Sequence, residues 1–237
     1  MDVLASALLI IGAYLLGALP ATYYVAKLVK GVDLRRYGSG NVGISNFAVH
    51  AGKKWIPPLI LFDILIKGML PVALASHRVL DLGVEIEVAA GFAAIVGHNW
   101  PVWLKFNGGR GMAMVLGVLA ALNYQLVLMY GVVAAVGWLA TRRKDSAMWW
   151  GLAALLLPVW SLLLNMRIEV TIFCVAFVFM TAIKRVTSNR STLRVRGERP
   201  MSTSRLIWNR LVFDRDTSSR AEWIYRGAEN PERTLNH

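Results

Sequence analysis

The sequence predicts an all-α integral membrane protein with about seven transmembrane helices, its N-terminus outside and its C-terminus cytoplasmic. Three observations lead to this fold class. The chain is 56% hydrophobic and only 17% charged, whereas soluble domains average roughly 45–50% and 25%. Its apolar residues lie in long blocks, and most of its charge lies in the short polar stretches between those blocks. Because a lipid-spanning helix needs about 20 apolar residues, most of these blocks are long enough to cross a bilayer.

Each hydrophobic block predicts one transmembrane span. One of them, at 112–122, is short for a crossing, and we expect a turn near Asn123 to separate it from the block that follows. If residues 112–141 formed one long helix, the basic residues at 142–144 would fall on the wrong side of the membrane. The predicted spans cover approximately residues 3–28, 55–76, 86–100, 112–122, 124–141, 147–164 and 168–183.

The orientation follows from the distribution of Lys and Arg among the loops. The first, third and fifth loops and the tail are basic, and the loops between them contribute little beyond Arg78 and Arg167. Since basic loops stay on the cytoplasmic side, the odd-numbered loops and the tail are predicted to be cytoplasmic. The basic loop residues are Lys30, Arg35, Arg36, Lys53, Lys54, Lys105, Arg110, Arg142, Arg143 and Lys144.

Two regions are predicted: a membrane domain at 1–186 with cytoplasmic loops, and a basic cytoplasmic tail at 187–237. Within the tail, the apolar residues at 206–213 indicate a short interfacial helix, with Trp208 and Phe213 at headgroup level. A solvated tail fits the composition equally well, so both interpretations stay open.

The formal net charge of +12 raises the question of nucleic-acid binding. The basic residues, however, lie at the ends of hydrophobic blocks and in the tail. That pattern is typical of proteins whose loops face anionic lipid headgroups. We therefore expect membrane lipids, and no nucleic acid, as partners.

The first loop carries a glycine-rich run that suits an anion. Glycines let the backbone fold back so that several N–H groups point inward, and such nests bind phosphate. The side chains between the glycines add neutral donors. An ordinary flexible turn is the alternative. The candidate residues are Gly38, Ser39, Gly40, Asn41, Gly43, Ser45 and Asn46.

The third loop carries a second glycine-rich run that leads into the short fourth span. Amides at a helix N-terminus favour an anion, and Arg110 can hold phosphate with a bidentate fork. The alternative is a basic loop whose arginine touches lipid phosphate, with His98 as an interfacial histidine. The candidate residues here are His98, Asn107, Gly108, Gly109, Arg110 and Gly111.

Asp63 and Lys67 lie inside the second span, four residues apart, which places them on one helix face. Ionisable groups within a membrane need a partner or a water-filled site. We expect a structural ion pair that braces the neighbouring loops.

Both loops resemble the signatures of a known family. The stretch Val32-Asp33-Leu34-Arg35-Arg36-Tyr37-Gly38-Ser39-Gly40-Asn41-Val42-Gly43 resembles the first signature of the bacterial acyl-phosphate:glycerol-3-phosphate acyltransferases, the PlsY family. The stretch from Gly97-His98-Asn99-Trp100-Pro101 to Gly111 resembles the second, and the resemblance covers approximately residues 3–198. It implies a multi-pass protein of the bacterial cytoplasmic membrane that transfers an acyl chain from acyl phosphate to the 1-hydroxyl of glycerol 3-phosphate, with no cofactor or metal.

The resemblance also implies roles for the loop residues. Ser39, Asn41, His98 and Arg110 would be catalytic, with His98 orienting the site and Arg110 stabilising charge. The remaining residues would bind the substrates. They are Gly38, Gly40, Gly43, Ser45, Asn46, Asn107, Gly108, Gly109 and Gly111, with Asn189, Arg190 and Arg194 from the region of the third signature.

The chain departs from the family pattern at several positions. The usual arginine after the first signature is Val49, and Met114 replaces the usual threonine after the glycine loop. Asn107 and Arg110 replace two lysines, and Lys67 is one residue farther from Asp63 than is usual. The third signature lacks its histidine. A non-catalytic homologue that binds lipid phosphate or a partner protein is therefore the alternative, and a small transporter is the third hypothesis.

Overall fold

The computed structural model describes residues 2–142, 145–187, 201–217 and 219–226, and within these ranges all regular secondary structure is helical. A π-helical segment, Phe62–Met69, joins two of the α-helices into one continuous rod from Ile56 to Ala75. Short 3₁₀ turns form at Leu34–Arg36 and Val102–Leu104. The α-helices are α1 (Val3–Gly17), α2 (Ala21–Lys30), α3 (Ile44–His50), α4 (Ile56–Leu61), α5 (Leu70–Ala75), α6 (Val84–Asn99), α7 (Met114–Leu122), α8 (Tyr124–Ala140), α9 (Ser146–Leu163), α10 (Ile168–Thr187), α11 (Thr203–Phe213) and α12 (Arg220–Tyr225).

Each predicted span coincides with helical structure. Four helical stretches are long and apolar enough to cross a membrane: Val3–Lys30, Ile56–Ala75, Ser146–Leu163 and Ile168–Thr187. The shorter apolar helix Tyr124–Ala140 adds a further candidate. The all-helical membrane fold class is thus confirmed, whereas the number of crossings and the sidedness of the termini stay predictions.

The shortest predicted span, now α7, is an interior helix. Its nine residues give a length of about 14 Å at 1.5 Å per residue, roughly half the hydrocarbon thickness. Met114, Val115 and Val118 are completely buried, so neighbouring helices enclose α7. The expected turn at Asn123 is present, because the Asn123 carboxamide oxygen accepts hydrogen bonds from the first amides of α8.

One close helix crossing, with two glycine contacts, fixes the bundle around α7. A Cβ on Gly117 would lie 1.9 Å from the carbonyl oxygen of Ile64, and one on Gly68 would lie 2.3 Å from that of Met114. The backbones of α7 and the π-helical segment are therefore in direct contact. Small residues permit such an approach in membrane helix bundles.

The described part of the predicted tail is folded onto the helix bundle. Helix α11 packs against α9 and α10, and the Arg185 guanidinium donates a hydrogen bond to the carbonyl oxygen of Leu211 at 2.6 Å. Thr217 is completely buried, and Trp208 remains 62% exposed on the outer face of α11. The helix expected at 206–213 is thus present. Its position at a membrane surface stays a prediction.

Candidate active site

A cavity of about 380 Å³ lies where the first loop, the third loop, the turn before α9 and the tail meet. The three basic odd-numbered loops and the tail therefore converge on one site, as expected of segments on a common side of the membrane. One part of the wall is apolar, formed by Ile44, Ile60, Met112, Leu116, Trp150 and Phe213. Another part of the wall is positively charged and is formed by Arg110, Arg185, Arg215 and Arg220. The cavity is within the size range of small-molecule pockets.

The first glycine loop owes its shape to two glycines with positive φ. Gly38 has φ = 54° and Gly40 has φ = 67°, a region in which other residues are strained. The turn is then closed locally, because the Asn41 carboxamide oxygen accepts from the Gly43 amide at 3.0 Å and the Ser39 hydroxyl accepts from the Asn41 amide at 3.2 Å. Ser39 and Asn41 line the cavity.

Asn46 braces this loop from within the core. It is 7% exposed, and its amide nitrogen donates to the carbonyl oxygens of Leu34, Tyr37 and Asn41 at 2.9–3.0 Å. The Asn46 nitrogen, which was expected to donate to a substrate, therefore already donates to backbone carbonyl oxygens. Asn46 still lines the cavity, but the structure shows it holding the loop in place.

The first loop begins at a small ion pair. The Asp33 side chain caps the Leu34–Arg36 turn, and the Arg35 guanidinium donates to it at 2.7 Å. This hydrogen bond holds the pKa of the Asp33 carboxyl below its usual value. Arg35 also lies over the ring of Tyr23, 5.0 Å from the centroid.

The second glycine loop folds back against His98. The Gly109 amide donates to the His98 carbonyl oxygen at 3.0 Å, so this expected phosphate donor is already satisfied. A Cβ on Gly109 would lie 2.1 Å from Nε2 of His98, and only glycine leaves room for the ring. The loop ends at Gly111, with φ = 71°, and the chain enters α7 at Met114. The predicted helix N-terminus thus stands at the cavity.

The structure brings together only some of the predicted site residues. Asn107 is exposed and bonds the Lys105 carbonyl oxygen, and neither Asn107 nor Gly108 and Gly109 line the cavity. Gly38 and Gly40 shape the loop from behind. Asn189, Arg190 and Arg194 lie outside the described residues. The predicted residues that line the cavity are Ser39, Asn41, Gly43, Ser45, Asn46, His98, Arg110 and Gly111.

His98 belongs to a buried chain of contacts that starts in the π-helical segment. The Lys67 ammonium donates to Asp63 at 3.0 Å and lies 3.2 Å from Nδ1 of His98. The side chains of Lys67 and Asp63 are 3% and 4% exposed. The expected structural ion pair is therefore present and reaches directly into the site.

Arg110 has a partner that local sequence patterns did not reveal. Its Nε donates to both carboxylate oxygens of Asp214 at 2.9 Å, and the two side chains are 9% and 11% exposed. A second contact joins the tail to the first loop, where the Gly38 amide donates to the Arg226 carbonyl oxygen at 2.8 Å. The tail thus contacts both glycine loops.

Several cavity residues were missed by reasoning from the sequence. They come from the start of α9 and the residue before it, from α10 and from the tail, far from both glycine loops in sequence. The only sequence signal was the mixture of arginines and aromatic residues in a tail expected to be polar. The missed lining residues are Asp145, Ser146, Ala147, Trp150, Arg185, Phe213, Asp214, Arg215, Arg220 and Trp223.

The chain that forms this cavity is similar to proteins of known function. A family model described as glycerol-3-phosphate acyltransferase matches residues 7–194. The chain belongs to this family. Glycerol-3-phosphate acyltransferase 5 of Dehalococcoides mccartyi is 34% identical over 95% of both chains. The Halalkalibacterium halodurans enzyme is 37% identical over 76% of this chain and 85% of its own.

Solved structures give the same family. The crystal structure of PlsY, an integral membrane glycerol 3-phosphate acyltransferase, in its glycerol 3-phosphate form aligns with a TM-score of 0.70 at 29% identity, covering 76% of this chain and 88% of that one. The lysophosphatidic acid form aligns with a TM-score of 0.68 at 28% identity and equal coverage. The family that the two loop signatures indicated is thus confirmed. The family match ends at residue 194, so the tail residues of the cavity lie beyond it.

Proposed function

We propose that the protein transfers a fatty acyl group from acyl phosphate to the 1-hydroxyl of glycerol 3-phosphate, forming lysophosphatidic acid and phosphate for phospholipid synthesis. Membership of the glycerol-3-phosphate acyltransferase family supports the acyltransferase and its acceptor. The choice of acyl phosphate as the donor rests on the resemblance of the loop signatures. A multi-pass position in the bacterial cytoplasmic membrane completes the proposal.

The observation that carries it is the two-sided wall of the cavity. Four arginines line one side of the cavity, namely Arg110, Arg185, Arg215 and Arg220, and Asp214 and Asp145 pair with two of them. These cations suit phosphate groups, and the apolar wall accommodates the start of an acyl chain. Both proposed substrates are anions, and one of them also has a hydrocarbon tail. A relative was crystallised with glycerol 3-phosphate and with lysophosphatidic acid, which are one substrate and one product of this reaction.

The reaction needs orientation and charge stabilisation more than a nucleophile from the protein. The glycerol oxygen forms a bond to the acyl carbon, the bond from that carbon to the phosphate oxygen breaks, and the hydroxyl proton ends on the released phosphate. Ser39, Asn41 and His98 offer polar groups to the substrates, and Arg110 stabilises negative charge. Fixed donors and correct placement are each able to supply several kcal/mol of such catalysis.

Phosphate release tests the proposal. Detergent-purified protein is given palmitoyl phosphate with and without glycerol 3-phosphate, and we expect release that requires both. Arg110→Ala should lower the rate about 100-fold, the usual effect of removing a charge-stabilising donor. Arg78→Ala, an exposed arginine away from the cavity, is the matched control and should leave the rate unchanged.

A non-catalytic homologue is the second candidate, and one contact favours it. Asp214 already holds the Arg110 guanidinium that phosphate would need. Folded protein that binds glycerol 3-phosphate in calorimetry, but releases no phosphate above a protein-free control, would establish this candidate and refute the proposed enzyme.

A further inference from the structure

We propose that Lys67 is a positioning residue that fixes the tautomer of His98, so that His98 presents an N–H donor at Nε2 to a negatively charged substrate oxygen. The tautomer follows from contacts within the chain, while its use in acyl transfer rests on the proposed function. Lys67 does not line the cavity and acts only through the imidazole.

The first step concerns Nδ1 of His98. A lysine ammonium has three donors and no acceptor. Because the Lys67 ammonium lies 3.2 Å from Nδ1, this nitrogen must accept the hydrogen bond and therefore carries no proton. In the neutral ring the single proton then resides on Nε2.

The second step concerns why Lys67 keeps its charge. Its ammonium donates to the Asp63 carboxylate at 3.0 Å, and both residues are buried. Removing either partner of such a pair would leave an uncompensated buried charge. The Asp63 carboxylate is thus the counter-ion of the Lys67 ammonium.

The third step concerns the direction of Nε2. His98 lines the cavity, whereas its Nδ1 faces Lys67, which does not. Nε2 is packed against Gly109 so closely that a Cβ there would lie 2.1 Å away. The Nε2–H therefore lies beside the second glycine loop. A ring in this form donates a hydrogen bond and does not accept a proton at that nitrogen.

The decisive experiment is ¹⁵N NMR of protein labelled at histidine. The chain has four histidines, and His98→Gln identifies the resonances of His98. Protonated and unprotonated ring nitrogens have well-separated ¹⁵N shifts. We expect unaltered protein to show one form of His98, protonated at Nε2 and unprotonated at Nδ1. A proton on Nδ1 would overturn the proposal.

The role of Lys67 is tested by removing the pair together. Lys67→Met alone would leave Asp63 buried without its partner, so the double variant Asp63→Leu/Lys67→Met replaces both by apolar side chains. In this double variant we expect His98 to populate both tautomers. Lys67→Arg should keep the Nε2–H tautomer, because arginine, like lysine, can only donate hydrogen bonds. Lys184→Met is the matched control, because Lys184 is equally buried but donates to the Asn99 carbonyl oxygen.

Kinetics complete the test. The double variant should lower kcat about 100-fold with little change in KM for glycerol 3-phosphate, and Lys67→Arg should restore most of it, as expected for a misplaced donor. An unchanged Nε2–H form in the double variant would overturn the role of Lys67. Absence of turnover in the unaltered protein would refute the proposed function instead, since the NMR result does not depend on activity.

Discussion

Two buried ion pairs flank the cavity, and they differ in how the chain makes them. Asp63 and Lys67 lie four residues apart in one helix, and their contact is formed as soon as that helix forms. Arg110 and Asp214 come from segments 104 residues apart. The first pair is held within the helix bundle, with Asp63 lining the cavity and Lys67 behind it, and the second stands at the site proposed for phosphate. We infer that the first pair is permanent, whereas the second exchanges when an anion arrives.

The largest expected effect comes from breaking the local pair. Lys67→Ala leaves a buried carboxylate without its partner and should lower the free energy of unfolding by about 3–5 kcal/mol. Unfolding of the detergent-solubilised protein measures this change. The double variant Asp63→Leu/Lys67→Met should recover most of the loss, and an equally unstable double variant would contradict the pair's permanence.

The next effect concerns the histidine beyond that pair. Gly109→Ala would place a Cβ 2.1 Å from Nε2 of His98, so the ring must move. A displaced donor should lower kcat about 100-fold, and the added volume should cost about 1–3 kcal/mol of stability. Gly131→Ala, where a Cβ would meet nothing within 4 Å, should leave phosphate release unaffected. Full activity in Gly109→Ala would show that this packing is irrelevant to turnover.

Breaking the Arg110–Asp214 pair should improve substrate binding, whereas breaking the Asp63–Lys67 pair should only do harm. Asp214→Asn removes the carboxylate that competes with phosphate for Arg110 but keeps the size of the side chain. We expect KM for glycerol 3-phosphate to fall about three- to tenfold, because like charge no longer opposes the substrate. Steady-state phosphate release measures it. Asp216→Asn, which removes a pair with Arg226 inside the tail, is the control. A higher KM in Asp214→Asn would mean that Asp214 supports binding.

The smallest effect is expected for the more exposed ion pair of Asp33 and Arg35. Its contribution to stability serves as a reference for that of the buried pairs. The Arg35 hydrogen bond lowers the pKa of the Asp33 carboxyl. Stability from this pair is therefore present above the ordinary carboxyl pKa of about 3.9 and is lost as pH falls through the lower folded value. Solvent screens the pair, so Asp33→Asn should cost less than about 1 kcal/mol at pH 7, and the cost should shrink as the pH is lowered. A loss independent of pH would contradict this assignment.

Features encoded by neighbouring residues were predictable from the sequence. The turn at Asn123, the ion pair of Asp63 and Lys67, and the glycine loop entering α7 each depend on spacings of a few residues. The family could be predicted from the two loop signatures, because each signature is a short run of residues at fixed spacings. The family match confirms that prediction.

Features encoded by distant residues were not predictable. The contact of Asp214 with Arg110 leaves no trace in periodicity or local composition. The bracing role of Asn46 was not predicted, because a carboxamide serves a substrate or a backbone equally well and only the fold shows three carbonyl oxygens around it. Asn107 was expected in the site, but the positive φ angles of Lys105 and Phe106 belong to a turn that leaves it exposed.

The π-helical segment Phe62–Met69 has a consequence for how chain length varies among relatives. Its hydrogen bonds span five residues, as from the Leu70 amide to the Leu65 carbonyl oxygen, so each turn holds about one residue more than an α-turn. We infer that an inserted residue is absorbed there without rotating α4 against α5. The segment would then accommodate the one extra residue that the resemblance to the family implies between Asp63 and Lys67. We expect a one-residue deletion between them to restore an ordinary α-helix and leave both flanking helices in register.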